Sequence, residues 1–490
     1  EVTIMNYKII GAGNAGRPVA RLLNHLGNHV EITDPKELDD FHPDFKRRLL
    51  EMESEGVILD LGNPKPEFND IDYVYMAPTL PKTSYAYKKV QELNLKVLTN
   101  EMVSEFINDA ITLDIIGITG TMGKTTTTYI TTTIFEAAGY NVWSCSSLNQ
   151  NLVSEVIVDG IVDGKNEECD ICVFEIPHGT AGLFPNINIK VGIFLNIHED
   201  HLSEFGGSME KYINRKLFIA RDSETLIASN HLKQLLEERT NRNDILYYGW
   251  ENPDWDTSFC NFIGIGSKGS IEIKYDTDKL KTGIGPIKGS FTSPFKMKSY
   301  FYENATAAAA AALTYGINKE SIIKALGKFK GLEVHMENIG KYNGREVILD
   351  SAFLYEGMRL TMEYFKDDDV VLLLDNFDTT TKRDKQEVGR LCGKYVNVIV
   401  ATGFNEVTQK VEMAAAEAIL EGSKNTKAKG VVADTMEEGS KLCIKYSKPG
   451  DIILHIGPVI MHDRERIVSS IKKGLKEGCL EYEGKFDYEE

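Results

Sequence analysis

Long hydrophobic runs are missing from this sequence. No stretch of its 490 residues approaches the roughly eighteen apolar side chains of a spanning helix, so no membrane segment is expected. Basic charge is short too: 55 Lys and Arg face 73 Asp and Glu, for a net charge of −18. A footprint on nucleic acid needs a basic face, so no nucleic-acid partner is expected. Cysteine is sparse, scattered and odd in number at seven. That argues against a disulfide framework and fits a reducing compartment. Cys169 and Cys172 have CxxC spacing but no second pair, which falls short of a structural zinc site. The first residues, Glu1 to Asn6, have neither the basic nor the apolar region of a secretory signal. No internal repeat or low-complexity tract is present. A cytoplasmic monomer is the expectation.

What is there is ordinary globular composition, 42% hydrophobic and 26% charged, near the average for folded domains. At about 100–200 residues per domain, two to four domains are expected. Apolar runs at Tyr7–Ile10, His29–Thr33, Tyr73–Met76 and Lys96–Leu98 alternate with helical spacing. This is a βαβ pattern and predicts a mostly parallel sheet over residues 1–105. A second block, 106–325, opens on the buried run Asp114–Thr119. It continues through apolar runs at Ile171–Ile176 and Val191–Asn196. Alternation at Ile271, Ile273 and Tyr275 predicts antiparallel strands, and an Ala-rich helix ends near Gly316. The third block, 326–490, carries strand-like runs at Val347–Asp350, Val370–Leu374, Val396–Ala401 and Asp451–His455. The fold class is therefore α/β in three domains, the first and the C-terminal one Rossmann-like.

The strongest local signal is Gly117-Ile-Thr-Gly120-Thr121-Met-Gly123-Lys124-Thr125-Thr126. Glycines let backbone N–H groups wrap anionic oxygens at a helix N-terminus. The motif places Gly120, Thr121, Gly123, Lys124, Thr125 and Thr126 on the phosphates of ATP. Lys124 reaches the β- and γ-phosphates, and the Thr125 hydroxyl reaches Mg²⁺, which makes the central block a P-loop ATPase domain.

A second glycine turn, Gly11-x-Gly13-Asn14-Ala15-Gly16, follows the first strand, with Asp34 about 20 residues on. Such a turn faces a pyrophosphate. Spacing alone does not say whether that belongs to NAD or to another dinucleotide-like ligand.

The loop variant G-x-x-G-T-x-G-K-T-T resembles that of the Mur ligases. So does the segment Asn196-Ile-His-Glu-Asp-His201-Leu, Gly206-Gly207-Ser208, Tyr212, Lys216, in order and spacing. The resemblance covers nearly the whole chain and is most specific over 117–216. It implies an ATP-dependent, ADP-forming ligase that joins a free amino acid to a UDP-linked peptide precursor through an acyl phosphate. It implies ATP and two Mg²⁺, with Thr125, Glu175, His201 and Lys216 as metal ligands, and Lys124, His201 and Lys216 as catalytic groups. Lys216 matches a lysine that most of the family carbamoylates. Asn304 matches the adenine-contacting Asn, and His335 and Asp350 stand at nucleotide positions opening the third domain. By the same resemblance Gly13, Asn14, Ala15, Gly16, Asp34 and Thr79 hold the uridine diphosphate.

Departures are also present. His335 replaces an Arg, which loses a permanent bidentate phosphate contact. Phe353 and Tyr355 stand where many members have His and Pro, and Tyr300-Phe301 replaces His-Asn. These point away from an ordinary murein ligase and toward the archaeal ligases associated with pseudomurein. Asp375 to Asp384 line an amino-acid pocket or form an ordinary strand-to-helix loop. Readings that remain beside this are an amide ligase acting on a cofactor carboxylate or a poly-γ-glutamate chain, a non-catalytic nucleotide-binding protein, and an NAD-linked oxidoreductase.

Overall fold

The computed structural model describes residues 3–149, 152–199, 202–277, 287–352, 354–376, 384–405, 410–457, 464–483 and 488–489. Three sheets follow one another along the chain. The first is parallel throughout, with β1 (Asn6–Ile10), β2 (His29–Asp34), β3 (Ile58–Leu61) and β4 (Tyr73–Met76) in the order β3-β2-β1-β4. One expected strand is corrected here. Lys96–Leu98 contributes only an isolated bridge beside β4, Val74 to Val97, and the fourth strand is Ile58–Leu61, at the opposite edge beside β2. That segment escapes a hydrophobic-run reading because it lies half-exposed at the sheet edge.

The second sheet has nine strands. In chain order they are β5 (Ile115–Thr119), β6 (Val142–Cys145), β7 (Ile171–Glu175), β8 (Ile189–Phe194), β9 (Ser223–Ser229), β10 (Leu246–Trp250), β11 (Phe262–Ser267), β12 (Ser270–Thr277) and β13 (Ile287–Pro294). Their spatial order is β13-β12-β11-β10-β9-β8-β5-β7-β6. Strands β6 to β11 run parallel with β5 among them, while β11, β12 and β13 form the antiparallel extension expected from the alternation. Strand β5 is buried at every position, as befits a central strand with helices on both faces. The helix Lys124–Ala137 leaves its carboxyl end. Beside it packs the helix Phe301–Tyr315, whose alanines 307 to 312 are all fully buried. Gly316, at φ +102°, ends that helix, since a left-handed cap is cheap only without a Cβ.

The third sheet contains β14 (Glu337–Tyr342), β15 (Arg345–Asp350), β16 (Val370–Leu374) and β17 (Val398–Thr402). A two-residue ribbon, β18 (Phe404–Asn405) with β19 (Lys410–Val411), stands apart. The sheet continues with β20 (Lys429–Ala433), β21 (Ile452–Ile456) and β22 (Tyr488–Glu489), in the order β20-β17-β16-β21-β15-β14-β22. It is parallel except at β14, which is antiparallel to both of its neighbours. Residue 105 falls within the helix Asn100–Ala110, and residue 325 within Lys319–Lys328. The connections between sheets lie just beyond those helices, at 111–114 and 329–336. No helix among the described residues is long and apolar enough to cross a membrane.

Candidate nucleotide site

The glycine loop lies between the end of β5 and the helix Lys124–Ala137, and neighbouring strand ends hold its shape. Asn196, just past β8, accepts from the amides of Thr121 and Met122 with its Oδ1, at 3.0 and 2.9 Å. Its Nδ2 donates to the Met122 carbonyl at 3.1 Å. The Thr121 hydroxyl is bonded to the Tyr212 hydroxyl at 3.0 Å and accepts from the His198 amide at 3.0 Å. Gly123 caps the helix at φ +79°, and a Cβ there would lie 2.8 Å from Asn304 Oδ1. Two constraints therefore demand glycine: a left-handed backbone and the side chain of Asn304. Lys124 Nζ donates back to the Thr121 carbonyl at 2.8 Å.

The Thr125 hydroxyl donates to Glu175 Oε2 at 3.0 Å and lies 2.9 Å from Ser147 Oγ. The Ser147 amide donates to the same carboxylate oxygen at 3.2 Å. Glu175 ends β7 and is 3% exposed. Two hydroxyls around one buried carboxylate make a hard-oxygen set. Mg²⁺ favours such a set when phosphates complete its shell, so these residues fit that ion. Ser147 was not foreseen. Its only sequence signal is a hydroxyl pair, Ser146-Ser147, ending an apolar strand.

Lys216 is 1% exposed. Its ammonium donates to the Gly120 carbonyl at 3.0 Å and to the Thr119 hydroxyl at 3.3 Å. It therefore stands on the loop's underside, joined to the strand end. His201 lies outside the described residues, as do Phe353 and residues 377–383.

The third sheet approaches from one side. Asp350 ends β15 with Oδ2 accepting from the Thr361 hydroxyl at 2.7 Å and Oδ1 accepting from the Met336 amide at 3.4 Å. Burial pushes its pKa up, opposed by the Thr361 hydrogen bond and by His335 nearby. His335 Nδ1 is 2.9 Å from the Glu333 carbonyl. Met122 of the loop reaches the helix Tyr355–Tyr364: its Sδ is 3.5 Å from where a Cβ on Gly357 would stand. Asn304 therefore lies against the loop at Gly123, while Asp350 and His335 stand near each other where the third sheet begins.

In the first sheet, Asp34 fastens the glycine turn. Its Oδ2 accepts from the Ala12 amide at 2.8 Å and its Oδ1 from the Lys36 amide at 3.0 Å. A Cβ on Gly16 would lie 1.8 Å from the Gly11 carbonyl oxygen, so that position admits no other residue. Asn14 Oδ1 accepts from Arg17 Nη2 at 3.4 Å, and Arg17 Nη1 donates to the Ala12 carbonyl at 2.9 Å. Gly13, Asn14, Ala15, Gly16 and Asp34 form one turn at the ends of β1 and β2. Thr79 is exposed on the adjoining turn after β4, where the Ala77 amide bonds the Ile10 carbonyl at 3.0 Å.

The family model described as the Mur ligase middle domain matches residues 118–312. An uncharacterized protein of Methanothermobacter thermautotrophicus is 38% identical over 219 residues, spanning 44% of this chain and 69% of that protein. The chain belongs to the Mur ligase superfamily. Among other superfamily relatives, the UDP-N-acetylmuramoylalanine–D-glutamate ligase of Desulfosudis oleivorans is 25% identical over 491 residues, covering 96% of each chain. A pseudomurein peptide ligase type C from Methanothermus fervidus shares the superfamily fold with a TM-score of 0.58. It is 21% identical, and the match covers 95% of this chain and 100% of that one.

Proposed function

We propose that this Mur ligase superfamily member is an ATP-dependent, ADP-forming ligase that adds an amino acid to a UDP-linked cell-wall peptide precursor. The observation that carries the reading is the meeting of Thr125, Ser147 and Glu175 beside Lys124 at the glycine loop. Residues 1–105 take the uridine diphosphate through Gly13 to Gly16, Asp34 and Thr79. Residues 106–325 take ATP, and residues 326–490 bring the amino acid. Relatives named for UDP-N-acetylmuramoyl substrates and the likeness to a pseudomurein ligase support the precursor class and the archaeal branch.

In this reading a precursor carboxylate attacks the γ-phosphate, and ADP leaves. The amine then displaces phosphate from the acyl phosphate. Charge gathers on the transferring phosphoryl oxygens, so positioning and fixed cations do most of the work. Lys124 turns from the Thr121 carbonyl to the β- and γ-phosphates, and the loop amides held by Asn196 line the same oxygens. Thr125, Glu175 and Ser147 would hold Mg²⁺, which would supply charge neutralisation for the phosphoryl group being transferred. Lys216 and His201 would hold a second Mg²⁺, which would supply positive charge beside the substrate carboxyl. Lys216 would serve there as its carbamate, because a protonated amine is a poor metal ligand at neutral pH. Mass spectrometry of the protein under bicarbonate, against Lys216→Ala, tests that modification.

The deciding experiment is phosphate release from Mg·ATP, with UDP-linked glutamyl or muramyl precursors crossed against single amino acids. Release that needs one precursor and one amino acid, with a product heavier by that residue less water, establishes the activity. Tight ATP binding without release across the panel overturns it in favour of a cofactor-directed ligase or a binding protein.

A further inference from the structure

The third sheet leaves two polar side chains buried and unsatisfied. Asp375 follows β16 and His455 stands one place from the end of β21, at 1% and 0% exposed. Asp375 Oδ1 accepts from the Asn376 amide at 2.8 Å. Its Oδ2 and both ring nitrogens of His455 have no hydrogen-bond partner among the described residues. Oδ2 lies 3.8 Å from His455 Nε2, too far for a bond between them. The backbone around this carboxyl is fastened. The Asp375 amide donates to the Ile456 carbonyl at 3.0 Å. Asn376 Nδ2 donates to the carbonyls of Gly403 and Glu412, both at 3.0 Å. Gly457 covers the pair: a Cβ there would lie 2.7 Å from Asp375 Oδ2 and 3.0 Å from His455 Cε1.

The pair stands where a sheet of this kind takes a ligand. Strand β16 leads to the helix Lys385–Gly393, whose Val388 and Leu391 share a core with Leu372 and Leu374. Strand β21 comes before the helix Arg464–Gly478, whose Ile467 and Ile471 share another core with Leu373 and Ile453. Alternate strand residues face opposite sides, so the two connections part to opposite faces of the sheet. The crevice at the carboxyl ends of two such strands is where open α/β sheets bind ligands. It adjoins Asp350 as well, because the Gly457 amide donates to the Asp350 carbonyl at 3.2 Å. A buried carboxylate oxygen without a donor is costly, and native proteins keep few such groups. A carboxylate oxygen and an imidazole nitrogen 3.8 Å apart can both come within about 2.8 Å of one ammonium. An anion would be repelled by Asp375, and an apolar group would leave both residues unsatisfied.

The amine that forms the new bond attacks the acyl phosphate as a free base, so it is not the ammonium held here. The group held is a second amine. We propose that Asp375, with His455, binds the spare ammonium of a diamino acid and so selects that class as the amine substrate. This rests on the ligase reading above and names the kind of amino acid that reading leaves open.

The test is calorimetric titration of the full chain, saturated with Mg·ADP, with lysine, with norleucine, which lacks only the side-chain amine, and with glutamate. Lysine binds about tenfold or more tightly than norleucine, the scale of one hydrogen bond to a charged group, and glutamate binds more weakly still. Asp375→Asn, of the same shape, erases the advantage of lysine. It leaves norleucine and Mg·ADP binding as in wild type, which shows that the variant is folded. Its thermal midpoint is no lower than that of wild type, since an uncompensated buried charge has gone. His455→Phe weakens lysine and not norleucine. Norleucine or glutamate binding as tightly as lysine, or no binding of lysine, overturns the proposal while Mg·ADP binding upholds the loop. Lysine binding that is the same in Asp375→Asn as in wild type overturns it too, and leaves the pair to water alone. Lysine held through Asp375, with no phosphate release from any precursor, would instead sink the ligase reading. The substrate role would go with it, and an ammonium site would remain.

Discussion

Arg17 and Glu155 are 138 residues apart in sequence and 2.8 Å apart in space. They are 1% and 3% exposed, so the pair is sealed between the helix that leaves the first glycine turn and a helix of the second sheet. Arg48 stands 3.5 Å from the same carboxylate and 2.6 Å from Asp159, which also pairs with Arg21. The Arg17 guanidinium lies 3.8 Å from the centre of the Phe45 ring. Because it also holds the Ala12 carbonyl, the turn in one sheet is anchored by a charge in the next. Removing one member of a buried pair leaves the other uncompensated, at a cost of about 3–5 kcal/mol. Glu155→Ala is expected to lose that much in denaturant unfolding, while Arg17→Met combined with Glu155→Met loses much less. Equal losses in the single and double variants would show that the pair is not coupled.

At the first glycine turn, Gly16→Ala drives a Cβ to within 1.8 Å of the Gly11 carbonyl oxygen. The turn must open or the helix must withdraw. UDP affinity is expected to fall by at least about tenfold, since a misplaced backbone leaves its polar groups poorly paired. ADP affinity, set on the second sheet, stays as in the wild type. Calorimetry with each nucleotide separates the two. A parallel loss of ADP binding would mean the whole fold had failed.

Thr125→Ala removes a hydroxyl that joins Glu175 to the loop. Phosphate release is expected to drop about a hundredfold, the usual scale for one lost stabilising group in a charge-bearing transition state. Glu175→Gln should move the half-saturating Mg²⁺ concentration upward as well. A Glu175→Gln profile that overlays the wild type in Mg²⁺ would place the ion elsewhere.

Glu303 gives the protein a pH-dependent weakness. Its pKa rises from 4.5 to about 7, through burial. The native state therefore keeps a proton that the unfolded chain has already released. Stability is greatest below the unfolded value and declines as pH rises from 4.5 through 7, by about 3 kcal/mol at most. Glu303→Gln should flatten that slope and be the more stable form at pH 8. Identical thermal midpoints across pH 5 to 8 in both proteins would contradict this.

The glycine loop was legible because its chemistry is local. Strand, turn, Lys124 and Thr125 sit within one short stretch, and the backbone allows few ways to join them. Glu175 could be named because it ends an apolar run. Ser147 could not, because its place depends on β6 joining the sheet beyond β7, and strand order is set by packing across the whole sheet. Arg17 and Glu155 were silent for a similar reason: each reads as a surface charge on an amphipathic helix until two sheets meet. Ile58–Leu61 was passed over in favour of Lys96–Leu98. Edge strands are recognised by hydrogen bonds to one neighbour more than by an apolar run.

The two helices that begin at the nucleotide site, Lys124–Ala137 and Phe301–Tyr315, lie side by side. One starts with the phosphate loop and the other carries Asn304. Their spacing is set by fully buried alanines, the smallest side chains that still favour a helix. This stripe works as a spacer gauge. The two added methyl groups of Ala309→Val stand five residues, more than a full turn, along the helix from Asn304. They would still widen the gap and misalign the two starting points. Sensitivity to nucleotide concentration should therefore map onto plain, buried, chemically inert positions, well away from anything that touches a ligand.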